Sequence, residues 1–185
     1  MSRREIRLSG EGGQGIILGG IILAEAAAVH GGLNAVQTQS YGPESRGGAS
    51  RCEVVLSREA IDYPKVIRPD VVLVMNREAA DRYAGDVSPG GTVIVDSTFV
   101  EEVPDTVGRV CRVPITRLAR EHFGREIVAN IIALGIVAGL TDLVRRDALE
   151  RAVADRVPPA TRDLNLKALD VGYRAAAEIP GPATP

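Results

Sequence analysis

Glu5-Ile6-Arg7-Leu8-Ser9-Gly10-Glu11-Gly12-Gly13-Gln14-Gly15-Ile16 is the stretch on which the fold turns. Its first five residues alternate polar and apolar, the period of a β-strand. The next six form a glycine-rich turn, with Gly10, Gly12 and Gly15 in GxGxxG spacing. A helix is expected from about Gly15 to His30, closed by Gly31-Gly32, a common C-terminal stop. Strand, glycine turn and helix in that order open an α/β domain. Gly19 and Gly20 inside the helix each cost about 1 kcal/mol relative to Ala. Close approach of another backbone is the expected reason.

Outward from this unit, Leu33 to Thr38 reads as a second strand and Gln39 to Gly48 as a polar loop. A third strand, Ala49 to Ser57, sets Cys52, Val54 and Leu56 on one face and Arg51, Glu53 and Val55 on the other. No crossover helix fits between strands two and three. The pair is therefore antiparallel, or the loop reaches across the sheet. Asp70 to Met75, Gly91 to Asp96 and Arg109 to Val113 read as further strands, the first two being continuous apolar runs suited to full burial. Asn76 caps a helix from Arg77. Thr116 is placed as the cap of a short helix ended by Gly124. Helices follow at Ile127 to Leu143, Asp147 to Val157 and Leu164 to Ile179. The pattern predicts an α/β, Rossmann-like three-layer sandwich: a mostly parallel twisted sheet between helices. One domain covers 1–179, with a disordered tail at 180–185.

Composition narrows the function. At 185 residues, 45% hydrophobic and 25% charged, the chain has the balance of a soluble globular domain. Two Phe, four Tyr and no Trp leave the core to aliphatic packing. A net charge of -2 without a basic stripe argues against nucleic acid as a ligand. No apolar signal region follows Met1-Ser2-Arg3-Arg4, and the longest apolar run, Ile127 to Leu140, falls short of the ~20 residues that cross a bilayer. A cytoplasmic protein without membrane contact is expected. Cys52 and Cys111 stand alone, outside any CxxC pair. They read as buried thiols, not as cluster or zinc ligands.

Two loops carry the candidate chemistry. In the first, Gly10, Gly12, Gly13, Gln14 and Gly15 lead into a helix N-terminus, whose free N–H groups suit an anion. The other reading is that these glycines only let helix and strand pack closely. A nicotinamide site would want an acidic residue about 20 positions onward. Asn34-Ala35-Val36-Gln37-Thr38-Gln39 supplies none. The second loop is Ser40-Tyr41-Gly42-Pro43-Glu44-Ser45-Arg46-Gly47-Gly48. Its candidate contacts are Tyr41, Gly42, Glu44, Arg46, Gly47 and Gly48. Arg46 either holds a phosphate or carboxylate through two parallel hydrogen bonds or pairs with Glu44 or Glu53 to tie down the loop. Both loops follow what read as neighbouring strands, at the edge where α/β sheets collect ligands.

GEGGQGI from Gly10 to Ile16 and Tyr41-Gly42-Pro43-Glu44-Ser45-Arg46-Gly47-Gly48 together resemble the gamma subunit of 2-oxoacid:ferredoxin oxidoreductases. Ile61-Asp62-Tyr63-Pro64, Pro69-Asp70, and Asn130 followed by Gly135 fit the same pattern, over about residues 5 to 178. The resemblance implies a subunit of an enzyme that cleaves a 2-oxoacid oxidatively with coenzyme A, giving acyl-CoA, carbon dioxide and reduced ferredoxin. It implies thiamine diphosphate, magnesium and iron–sulfur clusters on partner alpha and beta subunits, with room for a ferredoxin-like delta subunit, and ferredoxin as acceptor. It also implies that this chain helps complete the coenzyme A site and binds no cofactor alone. The residues agree on one point. Gly85-Asp86 is followed by Val87, so the GDG signature of a thiamine site is missing. The substrate stays open, with 2-oxoglutarate or pyruvate foremost. The competing reading is a free-standing nucleotide- or NAD(P)-binding α/β protein.

Ile127 to Leu140 is apolar on every side, with Asn130 its polar exception. Gly135 and Gly139 would let a second helix come close. The helix is either buried within this domain or shared between the sheet and a partner subunit. Asp96-Ser97-Thr98 ends a strand and is equally a ligand contact or a turn and cap. His30 and His122 sit near helix ends, where the dipole favours them, and suggest no triad.

Overall fold

The computed structural model describes residues 3–40, 49–106 and 108–180. Six strands form one sheet: β1 (Arg4–Glu11), β2 (Asn34–Ser40), β3 (Ala49–Ser57), β4 (Val71–Val74), β5 (Thr92–Asp96) and β6 (Arg109–Val113). The helices are α1 (Ile16–Ala28), α2 (Arg77–Tyr83), α3 (Ile115–Phe123), α4 (Ala129–Thr141), α5 (Arg146–Arg156) and α6 (Arg162–Ala177). The strand order is β2-β3-β1-β4-β5-β6. β1, β4, β5 and β6 run parallel, while β3 runs antiparallel to both its neighbours. The sheet is therefore mixed, with one reversed strand. This answers the question left by the missing crossover helix: β2 and β3 pair antiparallel, from Asn34↔Ser57 to Ser40↔Arg51. It also corrects one expectation. β1 and β2 are not neighbours, because β3 lies between them.

The pleat sorts side chains onto two faces. Ile6, Leu8, Cys52, Val54, Leu56, Val71, Leu73 and Ile94 point into the larger core, where α1 and α4 lie on the sheet and α3, α5 and α6 pack around them. Val72, Val74, Val93 and Val95 point the other way, onto α2, Tyr83 and Val100. On β1 and β3 this second face is polar apart from the buried Val55. Arg7 and Glu53 lie there buried and paired at 2.8 Å, and Arg7 also binds Asp86.

Local signals explain where elements stop. Asn76 caps α2 as read, its Oδ1 accepting from the Ala79 N–H at 2.9 Å. Gly124 closes α3 in the left-handed conformation at φ 67°. Thr116 does not cap α3. It lies inside the helix, with its hydroxyl turned to Asp96.

α4 is buried at every residue from Ala129 to Ala138. The sheet, α1 and α3 lie against it, and α6 covers its remaining side. A methyl on Gly135 would run into the Leu169 carbonyl, and one on Gly172 into the Ile132 carbonyl, so the two helices meet backbone to backbone. Of the two readings of the apolar helix, burial within this chain is the one observed.

The two glycines of α1 separate in the same way. Gly20 faces Cys52, and a methyl there would overlap the Cys52 sulfur. The close neighbour is a side chain, not the expected backbone. Gly19 has room, since an added methyl would find Leu134 and Leu8 at an ordinary 3.8 Å. Gly19→Ala is therefore expected to stabilise the chain by up to about 1 kcal/mol through helix propensity. Gly20→Ala is expected to destabilise it by about 1–3 kcal/mol through overpacking. Thermal melts of the two variants should move in opposite directions.

Candidate functional site at the carboxyl edge of the sheet

β1 ends at Glu11, and the chain must reverse into α1 within four residues. Gln14 holds that reversal from both sides. Its backbone N–H donates to the Glu11 carbonyl at 3.2 Å, and its side-chain Oε1 accepts from the Glu11 N–H at 2.7 Å. Its Nε2 reaches the Met75 carbonyl at the end of β4, at 3.4 Å. Gly10 leaves the space that the Gln14 side chain fills. Gly15 takes φ 72° beneath Asn130, which donates from Nδ2 to the Gly15 carbonyl at 3.3 Å. Thus Gly10 and Gly15 are glycines for internal reasons, and the packing reading holds for them.

Gly12 and Gly13 differ. Among the described residues, a methyl on either would meet nothing within 4 Å. Gly13 needs its φ of 98°, which other residues rarely adopt. Gly12 has no positive φ, and no neighbour among the described residues requires glycine there. What the turn gains there is bare backbone facing outward, beside the first-turn N–H groups of α1, which have no partners within the helix. No acidic side chain occupies that first turn.

Beside the turn lies a cavity of about 300 Å³, lined by Gly13, Gln14, Met75, Thr116, Glu126, Ile127 and Ala129. It sits at the crevice where α1 leaves β1 for one face and α2 leaves β4 for the other, the place where open α/β sheets bind ligands. Ile127 stands at its rim with 77% of its surface exposed. The floor is rigid. Asp96 is fully buried and accepts from the Thr98 N–H (3.0 Å), the Thr116 N–H (3.1 Å) and the Thr116 hydroxyl (2.5 Å). Asp96-Ser97-Thr98 is thus a turn that binds β5 to α3, with its carboxylate consumed internally.

Of the sequence candidates, Gly10, Gly12, Gly13, Gln14 and Gly15 come together in this turn. Tyr41, Gly42, Glu44, Arg46, Gly47 and Gly48 lie outside the described residues, as do 181–185 of the tail. The flanks of the second loop are described. Ser40 ends β2, Ala49 opens β3 opposite Glu11, and the Ser50 hydroxyl donates to the Gly10 carbonyl at 3.1 Å. Both loops therefore leave the same edge, although their strands are not adjacent. Sequence reasoning missed Met75, Glu126 and Ile127 as lining residues. The apolar Ile127 directly after the charged pair Arg125-Glu126 was the available signal.

Two further observations limit the chemistry. Cys52 is on β3 and Cys111 on β6, with β1, β4 and β5 between them, so these thiols cannot share a cluster. Burial pushes both thiols up from their ordinary pKa; a hydrogen bond from Gln37 opposes this at Cys52, and the charge of Arg109 opposes it at Cys111. Among the described residues no helix is long and apolar enough to cross a membrane.

Residues 5–175 match the family described as pyruvate ferredoxin/flavodoxin oxidoreductase. The chain is 49% identical over 179 residues to 2-oxoglutarate synthase subunit KorC of Methanocaldococcus jannaschii, with 96% of each covered. Its fold matches the gamma subunit of a keto/oxoacid ferredoxin oxidoreductase from Geobacter sulfurreducens with a TM-score of 0.89 and 45% identity, over 96% of this chain and 98% of that one. It also matches 2-oxoglutarate:ferredoxin oxidoreductase from Magnetococcus marinus with 2-oxoglutarate, coenzyme A and succinyl-CoA bound. There the TM-score is 0.86 and the identity 25%, over 98% of this chain but 32% of that one.

The internal bonds of the floor are testable. Thr116→Val removes the hydroxyl and leaves the Asp96 carboxylate short of a donor in a buried position. The expected cost is about 1–3 kcal/mol, read as a lower denaturation midpoint.

Proposed function

The chain belongs to the pyruvate ferredoxin/flavodoxin oxidoreductase family, and we propose that it is the gamma-type subunit of a 2-oxoglutarate:ferredoxin oxidoreductase whose carboxyl edge helps to form the coenzyme A site. The observation that carries this reading is the match in length. A separate small subunit of 2-oxoglutarate synthase is covered over 96% of its own chain at 49% identity. In the larger Magnetococcus marinus enzyme, the same fold occupies about a third of one chain. On this reading the missing parts of the enzyme lie on partner alpha and beta subunits, with ferredoxin as acceptor and the cytoplasm as the site of work. Thiamine diphosphate, magnesium and iron–sulfur clusters belong to those partners and supply the carbanion and electron-transfer chemistry.

This chain's part is to bind and orient. The bare turn at Gly12-Gly13 lets a phosphate-bearing ligand approach the backbone, where α1 offers partial positive charge. Ile127 adds an exposed apolar surface suited to the pantetheine arm. The two loops at one edge give a partner subunit a surface to close against, so that water is kept from the thiol end. The NAD(P) alternative loses support. Its ribose contact would come from the tip of a strand beside β1, and here β2 is two strands away and ends in Gln39-Ser40.

Gly12 offers the cleaner test, because a side chain at Gly13 would strain the backbone whatever binds there. Gly12→Val is expected to leave the melting temperature of the chain unchanged. In the assembled enzyme it should raise the KM for coenzyme A by about 10-fold or more, or impair assembly. Arg46→Ala should raise the same KM. The isolated wild-type chain should show no turnover, and adding it to the thiamine-bearing subunits should restore coenzyme A-dependent ferredoxin reduction with 2-oxoglutarate. Turnover by the chain alone would end the proposal.

A further inference from the structure

The polar face of β2 and β3 holds a second recess that neither glycine turn explains. It measures about 210 Å³ and is lined by Thr38, Gln39, Ser40, Arg51, Glu53 and Lys65. This is room for one phosphoryl group with water, not for a whole nucleotide. Two cations and two hydroxyls converge on it, the donor set that recognises phosphate.

Its one carboxylate is already used. Glu53 is bound by the buried Arg7 at 2.8 Å, and Arg7 also holds Asp86. Arg51 reaches Glu53 only at 3.9 Å. It is steadied instead by lying 5.7 Å over the Tyr83 ring, which Arg7 shares on its own side at 5.3 Å. Arg51 is therefore held in place without a close carboxylate of its own among the described residues. Lys65 is brought in by a pinned loop. Arg3 donates to the carbonyls of Tyr63 and Lys65 at 2.8 Å each, and Glu5 accepts from the N–H groups of Ile67 (2.7 Å) and Arg68 (2.8 Å). Arg3 and Glu5 are themselves joined at 2.7 Å. These bonds fix the backbone from which the Lys65 side chain extends.

We propose that Arg51 and Lys65 form a subsite for a phosphomonoester dianion, and that its occupant is the terminal 3′-phosphate of coenzyme A. The inference rests on the proposed coenzyme A site at the neighbouring turn. Two strand spacings of about 4.8 Å separate the tips of β1 and β2. That distance suits a ligand whose diphosphate lies at Gly12-Gly13 and whose ribose phosphate turns down over the β2–β3 face. Two cations match the two charges of a phosphomonoester, and the Thr38 and Ser40 hydroxyls supply neutral hydrogen bonds. Free phosphate shares this chemistry, and dephospho-CoA separates the two sources.

The test uses the assembled enzyme with coenzyme A and dephospho-CoA as alternative substrates. The wild type should prefer coenzyme A through KM. Lys65→Ala and Arg51→Ala should each raise the KM for coenzyme A about 10-fold and leave that for dephospho-CoA unmoved. Inorganic phosphate should compete with neither substrate at concentrations near the KM. Lys65 is exposed, so its variant keeps the fold, and melting curves of both complexes check this. Equal KM values for the two substrates in the wild type would overturn the subsite. So would variants that raise both KM values together, or competition by phosphate alone. If Gly12→Val raises the KM for coenzyme A while these variants do not, the 3′-phosphate assignment fails and the coenzyme A site stands. If none moves it, the broader reading fails as well.

Discussion

Eight residue pairs between β1 and β3, from Arg4↔Leu56 to Glu11↔Ala49, set the geometry of everything at the carboxyl edge. A parallel neighbour to β1 would have required a crossover and would have returned its loop to the opposite edge. The antiparallel pairing instead starts β3 where β1 ends. The glycine turn and the flanks of the second loop are thereby fixed side by side, tied by the Ser50 hydroxyl on the Gly10 carbonyl. Pairing out to Glu11 also extends β1 two residues beyond its alternating core, to the lip of the turn.

The ladder has a cost on its polar face, where Arg7 and Glu53 are buried. Removing two charges from water costs several kcal/mol per ion, and attraction at 2.8 Å offsets that only with further hydrogen bonds. Asp86 and the Tyr83 ring provide additional partners. The net stabilisation of such a pair against an apolar one is near zero by the usual balance. What the pair secures is register. A slip of β1 by one residue would turn Arg7 into the aliphatic core, bring Ile6 onto the polar face and leave Glu53 there without its partner, so the charges select one alignment of β1 on β3.

Much of this was legible in the residues. β3 and β6 have the expected bounds, Ala49–Ser57 and Arg109–Val113, the latter because Pro114 stops the strand locally. Asn76 and Gly124 act as read for the same reason, since a cap needs only its own turn. The misreadings share a cause. Thr116 was given a local role, but its partner is Asp96, twenty positions earlier. Gly19 and Gly20 look alike in sequence and differ only in what β3 and α4 set against them. The neighbours of β1 depend on β3 folding back between β1 and β2, which no residue near β1 encodes. Within the glycine motif, only three-dimensional neighbours separate Gly10 and Gly15, which serve packing, from Gly12, which packs against none of the described residues.

That separation bears on how the subunit meets the rest of its enzyme. The apolar helix α4 is enclosed by α6, α1, α3 and the sheet, so its hydrophobic surface is buried within the chain. Among the described residues, what faces outward at the carboxyl edge is the glycine backbone of the turn, the exposed Ile127, Phe99 and Leu18, and two polar strand ends. Such a surface cannot bind strongly through area alone, because association loses more freedom than a few exposed apolar groups recover. It suits an edge that closes with a ligand between the two sides, each contributing part of the contacts. A subunit built this way gains little from binding the coenzyme by itself. On the proposed reading, its glycines matter when a partner and a phosphate-bearing substrate are both present.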